Sequence, residues 1–493
     1  MFEKGDCKMF NKYNHLGFMS NFYINKNNNL IIKNTFQEII NFKEKKLIDP
    51  TSVIELINKN YFFADRTIID GIYKTPWMAK PNNENNDWKF FDLPKHGYKL
   101  KDEKEIADEL FHLLKKEIYN HCNKKQNIGI LLSGGMDSRI VSGVLNNLIQ
   151  TNKIDSTVTA LNWGLIGSRD QVYAKRISKM FGWEYRHFTL NESNLKENIK
   201  ITSDNGCQFS PIHLHAMPKI RELKNLDLIL AASFGDSIGR AEYSGKHVTK
   251  LKSIKNNILN PFEILKNDIY KIYKNEIKND IKRYRKLFPR QKVYQYYEIE
   301  RQAHYMRKQL NPCMEIINQK IPVYQAFTSP EVYGFMWSID PKKRGDKIYK
   351  YILEKFDNKL KEVPWSRTGK RYLKDKDLSD NLKKHYHKYG LWIRDNISDY
   401  IEERVLSQEI DNLNIFNMIS LKNLIKYNKK YSQSITHTKI DETLIWLASL
   451  AELVKKYDIK GIKNHKSSYL NYIRSRYLST LETIAYLTYK NII

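Results

Sequence analysis

The sequence predicts an α/β protein whose central part is built on a parallel sheet, with a small β-rich module before it and a helical part after it. Three observations lead to this prediction. Short apolar runs of branched residues alternate with helical patterns between residues 127 and 231. Short β-like runs separated by asparagine-rich turns occupy residues 1–100, and amphipathic helical patterns dominate residues 376–493. The central part therefore spans residues 101–375.

The elements of the central part follow one another as strand and helix. The N-terminal module contains a predicted helix at residues 50–58, and a longer helix at residues 102–121 opens the central part with acidic residues. Residues 128–132 form a strand buried on both faces. Residues 156–161, 185–190 and 226–231 are further predicted strands, with a helix at residues 170–181. The ligand site of such a sheet lies at the carboxyl ends of its strands.

A loop with two glycines, SGGMDS, connects the first of these strands to a helix. The segment Ser133, Gly134 and Gly135 forms a turn in which backbone N–H groups can approach an anion, and Asp137 and Ser138 lie where the helix begins. The loop differs from the P-loop of kinases and GTPases, because no G-x-x-x-x-G-K-[ST] pattern occurs. These residues predict a strand, a phosphate-binding loop and a helix in succession.

SGGMDS resembles the pyrophosphate-binding loop of the PP-loop ATP pyrophosphatases, and ILLSGGMDSRIVSGVL is similar to the synthetase domain of asparagine synthetases. The resemblance implies an adenine nucleotide alpha hydrolase-like fold that uses ATP and Mg²⁺ to adenylate a carboxylate. It implies a nucleotide site at Leu132, Ser133, Gly134, Gly135, Asp137 and Ser138. Ala160 and Leu161, within STVTALNWG, are implied to flank the adenine; ordinary positions in the sheet core are the alternative.

The segment SFGDSIG follows the strand at residues 226–231 and resembles the family's second motif, approximately S-G-x-G-x-D-E. Gly235 and Asp236 match this motif, whereas Ser237 replaces its glutamate. The resemblance implies that Gly235 lies at the nucleotide and that Asp236, together with Asp137, binds Mg²⁺. An aspartate in a surface turn is the alternative.

The segment EVPWSRTGKRYL resembles the family's catalytic lysine loop, which makes Lys370 the implied catalytic cation and Arg367 the second cation.

A related segment, QKIPVYQAF, follows the position at which the family places a glutamate that assists nitrogen attack. Asn318 stands at that position here, and an amide cannot accept a proton from an amine. Glu315, about one helical turn earlier, is the candidate replacement.

The segment YFFADRTIIDGIYKTPWMAK resembles the end of the glutaminase domain of asparagine synthetases, so residues 1–100 are predicted to be a shortened, degenerate form of that domain. The family's nucleophile is a cysteine directly after the initiator methionine. Phe2 occupies that position here, and Cys7 is not terminal. We therefore expect no glutaminase activity, with nitrogen coming from ammonia or an amine, and a separate ammonia-supplying protein is a candidate partner.

The composition restricts the partners and the compartment. The 493 residues include 83 basic and 55 acidic side chains, a net charge of +28, but the basic residues are scattered, which disfavours nucleic acid as a partner. Four cysteines without a C-x-x-C pair argue against a zinc site or a disulfide framework. No apolar stretch reaches the length of a membrane span. The cytoplasm is the expected compartment.

These features predict an ATP-dependent amide-forming ligase that releases AMP and pyrophosphate. Its carboxylate substrate could be a small molecule, a glycan or a peptide. Two alternatives stay open: a PP-loop enzyme that adenylates a tRNA base, which the positive charge favours, and a non-catalytic nucleotide-binding partner, which Asn318 and Ser237 favour.

Overall fold

The computed structural model describes residues 12–27, 29–82, 84–254, 258–356, 359–374, 376–430, 434–463 and 469–492. The strands are β1 (Phe22–Lys26), β2 (Asn29–Lys33), β3 (Tyr73–Lys74), β4 (Ala79–Asn82), β5 (Asp87–Phe90), β6 (Asn127–Leu131), β7 (Thr157–Gly164), β8 (Glu184–Thr189), β9 (Leu228–Ala231), β10 (Glu242–Tyr243), β11 (Lys246–His247) and β12 (Val323–Gln325).

Helices make up most of the remaining regular structure. The α-helices are α1 (Phe36–Ile40), α2 (Pro50–Lys59), α3 (Glu103–Cys122), α4 (Met136–Gln150), α5 (Arg169–Phe181), α6 (Glu192–Asp204), α7 (Met217–Arg221), α8 (Gly235–Gly239), α9 (Asn267–Tyr273), α10 (Glu276–Leu287), α11 (Val293–Glu300), α12 (Pro312–Asn318), α13 (Pro330–Ser338), α14 (Asp346–Leu353), α15 (Tyr389–Leu391), α16 (Ser398–Val405), α17 (Gln408–Asp411), α18 (Met418–Lys429), α19 (Lys439–Tyr457) and α20 (Tyr469–Ile492).

A five-stranded parallel sheet in the order β12-β9-β6-β7-β8 forms the centre of the molecule, as predicted. Its middle strand β6 is buried on both faces, with Ile128 and Ile130 in one apolar cluster and Leu131 in another on the opposite face. Parallel pairing places Leu131 beside Leu161 and Ile130 beside Leu230. The carboxyl ends of β6, β7 and β9 therefore meet at one edge, where the loops carrying the predicted motifs begin.

The N-terminal module combines an antiparallel sheet, in the order β2-β1-β3, with the β4-β5 hairpin and two helices. Its apolar side chains Phe36 and Phe62 belong to the same buried cluster as Trp446 and Leu450 of α19. The module and the C-terminal helices thus share a core, and the boundaries at residues 100 and 375 stay predictions. Phe2 and Cys7 lie outside the described residues.

A π-helical segment, Arg301–Leu310, links the N-terminal module to the second motif. The side chain of Gln302 donates from Nε2 to Ser237 Oγ at 3.1 Å. Two residues later, His304 Nδ1 accepts the N–H of Ala64 in the module at 2.8 Å. Wide π turns are frequent at functional sites.

Two further features concern the whole described part of the chain. The described cysteines, Cys122, Cys207 and Cys313, are buried and free. A search of the described helices found none with both the length and the apolar character needed to cross a lipid bilayer.

Candidate active site

The phosphate loop is held in shape by its own hydroxyl groups. The Ser133 N–H donates to Ser138 Oγ at 3.2 Å, and the Gly135 N–H donates to Ser133 Oγ at 3.1 Å. The loop begins where the Leu132 N–H donates to the Leu161 carbonyl of β7 at 2.9 Å. Gly135 is the N-cap of α4, so the positive end of this 15-residue helix faces the loop. The start of α4 is therefore a position that favours an anion.

Gly134 is the tightest point of the loop. A Cβ atom there would lie 2.8 Å from Ser366 Cβ and 3.0 Å from Tyr173 Cδ2, which leaves no room for a side chain. The Gly134 N–H donates to Asp170 Oδ1 at 3.0 Å. Burial raises the pKa of Asp170, although this hydrogen bond opposes the rise. Glycine is required here because the loop packs between α5 and a segment far along the chain.

The second motif brings Asp236 next to Asp137. A Cβ atom on Gly235 would lie 2.6 Å from Asp137 Cβ, so the backbone of α8 touches the first turn of α4. Burial and the neighbouring Asp137 carboxylate raise the pKa of Asp236 to about 7, while Arg240 opposes the rise. Two acidic groups from different strands therefore lie together at the carboxyl edge of the sheet.

This pair fits a magnesium ion bound together with phosphate oxygens. Asp137 Oδ1 is buried and has no hydrogen-bond partner among the described residues. Within the described part of the chain, no group of three or more His, Cys, Asp or Glu side chains could hold a metal by itself. Mg²⁺ commonly takes one or two carboxylates and completes its shell with water and substrate phosphates. Asp137 and Asp236 would provide the protein's share.

Arg240 is a site residue that the sequence analysis missed. Its guanidinium lies 3.6 Å from Asp137 Oδ2 and 2.9 Å from Asp346 Oδ1, and its side chain is only 6% exposed. It also lies over the rings of Tyr349 and Trp365. Arg240 therefore provides a fixed positive charge beside the predicted metal ligands. In the sequence, only the position of Arg240, four residues after Asp236 in SFGDSIGR, could have indicated that it lies at the site.

The predicted cation loop packs directly on the phosphate loop. The Ser366 N–H donates to the Gly134 carbonyl at 3.1 Å, and the Trp365 N–H donates to the Lys370 carbonyl at 2.7 Å. Lys370 is half-buried, whereas Arg367 is exposed and lies with its Cζ 5.5 Å from the centre of the Trp365 ring. The structure thus brings both predicted cations into the neighbourhood of SGGMDS.

Arg139, one residue after the loop, joins the two loops. Its guanidinium donates to the carbonyls of Gly134 at 3.2 Å, Val363 at 2.5 Å and Pro364 at 2.7 Å. The side chain is fully buried, and burial lowers the pKa of Arg139 to about 9. All three of these acceptors are backbone groups, so Arg139 ties the backbone of the cation loop to the backbone of the phosphate loop.

Residues 109–215 match the family model described as Asparagine synthase. This segment contains β6, the phosphate loop, α4 and the next two strands. Residues 109–215 are thus similar to an asparagine synthase domain, a domain of the PP-loop ATP pyrophosphatase superfamily.

Other similarities cover between 23% and 45% of the chain. It is 32% identical over 122 residues to 7-cyano-7-deazaguanine synthase from Sulfurihydrogenibium sp. (strain YO3AOP1), a match that spans 23% of the chain and half the length of that relative. The U34-tRNA thiolase NcsA from Methanococcus maripaludis is 16% identical, with 40% of this chain and 78% of that one covered and a TM-score of 0.23. NMN synthetase from Francisella tularensis is 15% identical, with 45% and 93% covered and a TM-score of 0.21.

The structure places Ala160 and Leu161 in the core of the parallel sheet. Both side chains are fully buried within β7. Leu161 reaches the phosphate loop through its carbonyl group, which accepts the Leu132 N–H. Contact between these two side chains and adenine stays a prediction.

Glu315 lies among residues of the N-terminal module. Its Oε2 atom forms an ion pair with Lys74 at 3.0 Å, and its Oε1 atom accepts from Ser20 Oγ at 2.9 Å. These contacts hold α12 against the module, and a second role for Glu315 as a base stays a prediction. Asn318 accepts the Val323 N–H at 3.0 Å, so the residue at the family's glutamate position supports the start of β12.

Proposed function

We propose that the protein is an ATP-dependent amide-forming ligase that adenylates a carboxylate and transfers it to ammonia or an amine. The observation that carries this proposal is the meeting of Asp137 and Asp236 at the carboxyl ends of the adjacent strands β6 and β9. The asparagine synthase model that matches residues 109–215 supports the same chemistry.

The site suits attack of a carboxylate on the α-phosphorus of ATP. The N–H groups in the first turn of α4 would hold the β and γ phosphates, because those of Ser133, Gly134 and Gly135 already donate within the protein. Asp137 and Asp236 would hold Mg²⁺, which when bound would supply positive charge to the phosphate oxygens. A carboxylate oxygen then bonds to the α-phosphorus, and pyrophosphate leaves. Lys370 and Arg367 stabilise the charge on the acyl and phosphoryl oxygens.

In the second step, the nitrogen attacks the acyl carbon, the bond to AMP breaks and the nitrogen loses a proton. AMP therefore keeps one oxygen atom of the original carboxylate. Incubation with ATP, Mg²⁺, ammonium and a panel of ¹⁸O-labelled carboxylates tests this directly. We expect ¹⁸O in AMP for one carboxylate, together with pyrophosphate and the amide. Formation of ADP and phosphate with that carboxylate would refute the proposal.

Matched variants connect the reaction to the site. Asp137→Asn and Asp236→Asn each remove one charge at the proposed metal site and should abolish pyrophosphate release. Asp155→Asn is the control, since Asp155 is exposed and precedes β7 at the opposite edge of the sheet. Equal activity of all three variants would show that the reaction does not depend on Asp137 and Asp236.

We propose ammonia or an amine as the nitrogen donor. Ammonium should support amide formation, whereas glutamine should not. Amide formation from glutamine by the purified chain would contradict this expectation, and its appearance only after a second protein is added would identify an ammonia-supplying partner.

A tRNA base is the second candidate substrate, and the net charge of +28 favours it. If tRNA is the substrate, we expect tRNA binding that weakens steeply with salt, and pyrophosphate release that requires tRNA. Nucleotide binding with neither activity would favour the non-catalytic alternative.

A further inference from the structure

The C-terminal helix α20 exposes a stripe of large apolar side chains. At 3.6 residues per turn, its members lie within about 80° on either side of Leu481, along about 24 Å of the helix. Leu481, at the centre, is 63% exposed. Among the other helices of the described chain, none exposes more than one large apolar side chain. We call this group the apolar stripe, and its members are Ile473, Tyr477, Leu478, Leu481, Ile484 and Tyr489.

The opposite face of α20 packs on the protein with small polar side chains. Ser475, Ser479 and Thr483 are buried there, and Asn423 of α18 donates from Nδ2 to Thr480 Oγ1 at 3.1 Å. A surface helix usually buries its apolar side and exposes its polar side. The reversed arrangement of α20 leaves an exposed patch of the kind that marks an interaction surface.

The charges of α20 favour a protein partner over a lipid surface. Glu482 is the only charged residue between Tyr477 and Tyr489, and its Oε2 atom accepts the Phe262 N–H at 2.7 Å. A helix that lies on a membrane carries many Lys and Arg residues beside its apolar face. The core of a protein interface, in contrast, is poor in charge and rich in tyrosine. The apolar stripe has the second composition.

The apolar stripe is complementary to a second copy of itself. Turning a second α20 antiparallel about Leu481 places Ile473 opposite Tyr489, since both lie eight positions from Leu481. It also places Leu478 opposite Ile484, since both lie three positions away. An interface with twofold symmetry requires a self-complementary patch of this kind.

The cations of the two copies do not meet in this register. Arg474 falls opposite Thr488, and Arg476 falls opposite Tyr486. Like charges that face each other across an interface suppress association. The pairing avoids them, although the chain carries a net charge of +28.

We propose that the apolar stripe is a dimer interface, at which a second copy of this chain lays its own α20 antiparallel and the two Leu481 side chains meet on the twofold axis. Standard interfaces bury about 800 Å² per partner. Two helices in contact along about 24 Å bury less than this, so the dimer is a weak one whose population depends on protein concentration. An interface of this kind forms whether or not the chain is a ligase.

Sedimentation velocity of the full chain tests the interface. From about 1 to 100 μM, the range for a weak contact, we expect the mass to rise from 58.6 kDa toward twice this value. Leu481→Glu should weaken the association at least about 100-fold, because like charges that face each other in an interface repel strongly. Leu378→Glu is the control, since Leu378 is 93% exposed and lies outside α20. Urea unfolding of the monomer should be unchanged in both variants, because both side chains are exposed.

Disulfide cross-linking tests the twofold register. Leu481→Cys places two thiols across the axis, where their Cβ atoms can reach the separation of about 3.8 Å that a disulfide needs. Mild oxidation should link two copies of Leu481→Cys, whereas the wild type and Leu378→Cys should stay unlinked. The described native cysteines are buried, namely Cys122, Cys207 and Cys313.

A chain that stays monomeric at the highest concentration would overturn the proposal, as would equal masses for Leu481→Glu and Leu378→Glu. Absence of the cross-link in Leu481→Cys would overturn the antiparallel pairing. Binding of the monomer to vesicles of phosphatidylcholine and phosphatidylserine, lost in Leu481→Glu, would assign the apolar stripe to a lipid surface instead. Growth beyond the dimer that requires Leu481 would also overturn the proposal, in favour of head-to-tail contacts.

Discussion

Replacing Gly235 with alanine should displace the Asp137 carboxylate. The new Cβ atom would lie 2.6 Å from Asp137 Cβ and 2.8 Å from both Cγ and Oδ1. Unbonded carbon atoms normally approach to about 3.5–4.0 Å, so one side must move by roughly 1 Å. The Gly235 backbone resists this movement, because its carbonyl accepts the Tyr349 hydroxyl at 2.8 Å and its N–H donates to the Ala232 carbonyl at 3.0 Å.

The expected effect is larger on activity than on stability. A misplacement of about 1 Å at a reacting site can cost on the order of 100-fold in rate. Crowding of a packed site costs about 1–3 kcal/mol of the free energy of unfolding. We therefore expect Gly235→Ala to fold, to lose about 100-fold in pyrophosphate release and to bind ATP less tightly in the presence of Mg²⁺.

The assay compares pyrophosphate release, Mg²⁺-dependent ATP affinity and urea unfolding for the two variants Gly235→Ala and Gly334→Ala. Gly334 is also helical, but a Cβ atom there would meet only Pro94, at 3.8 and 3.9 Å. Gly334→Ala should therefore behave like the wild type. Activity of Gly235→Ala within about threefold of wild type would refute the steric argument.

Three further variants test other parts of the structure. Arg139→Leu removes the guanidinium donor of the Val363 and Pro364 carbonyls and one of the two donors of the Gly134 carbonyl, and it should lower the free energy of unfolding by about 3–5 kcal/mol in urea titrations. Lys370→Met removes the predicted catalytic cation and should slow pyrophosphate release about 100-fold while ATP affinity changes little. His304→Asn tests pH dependence. Burial lowers the pKa of His304 well below 6.5, so the unfolded chain binds a proton that the folded state excludes. The free energy of unfolding therefore decreases as the pH falls below 6.5, by about 2 kcal/mol at pH 5. The variant His304→Asn should lose less of its free energy of unfolding over the same pH range.

For each of these variants, a stated result would contradict the expectation, and the two last variants also have a control variant. A loss below about 1 kcal/mol in Arg139→Leu would show that the two loops hold together without it. Lys361→Met, at an exposed lysine near the same loop, should retain activity, and equal slowing in both lysine variants would remove Lys370 from its role. His385→Asn replaces an exposed histidine and should keep the wild-type pH slope. An unchanged slope in His304→Asn would contradict the linkage argument.

Local patterns explain why the central strands and the phosphate loop could be predicted. The apolar run before SGGMDS predicts a doubly buried strand, and β6 is one. The predicted helix at residues 102–121 corresponds to α3, where Asp102 caps the first turn through the N–H groups of Lys104 and Glu105. Prediction was weaker for Glu315, because spacing along a helix does not show that its carboxylate pairs with Lys74.

The sequence by itself determined the chemistry of the phosphate loop and the alternation of strand and helix, because both depend on neighbouring residues. Only the tertiary structure decided which distant groups meet. Arg139 contacts carbonyls more than 220 positions away, and Arg240 pairs with Asp346. The packing of C-terminal segments onto β7 brings Tyr386 against His215, which itself stacks on Trp163. Contacts of this kind depend on how whole elements pack, and no local pattern in the chain encodes them.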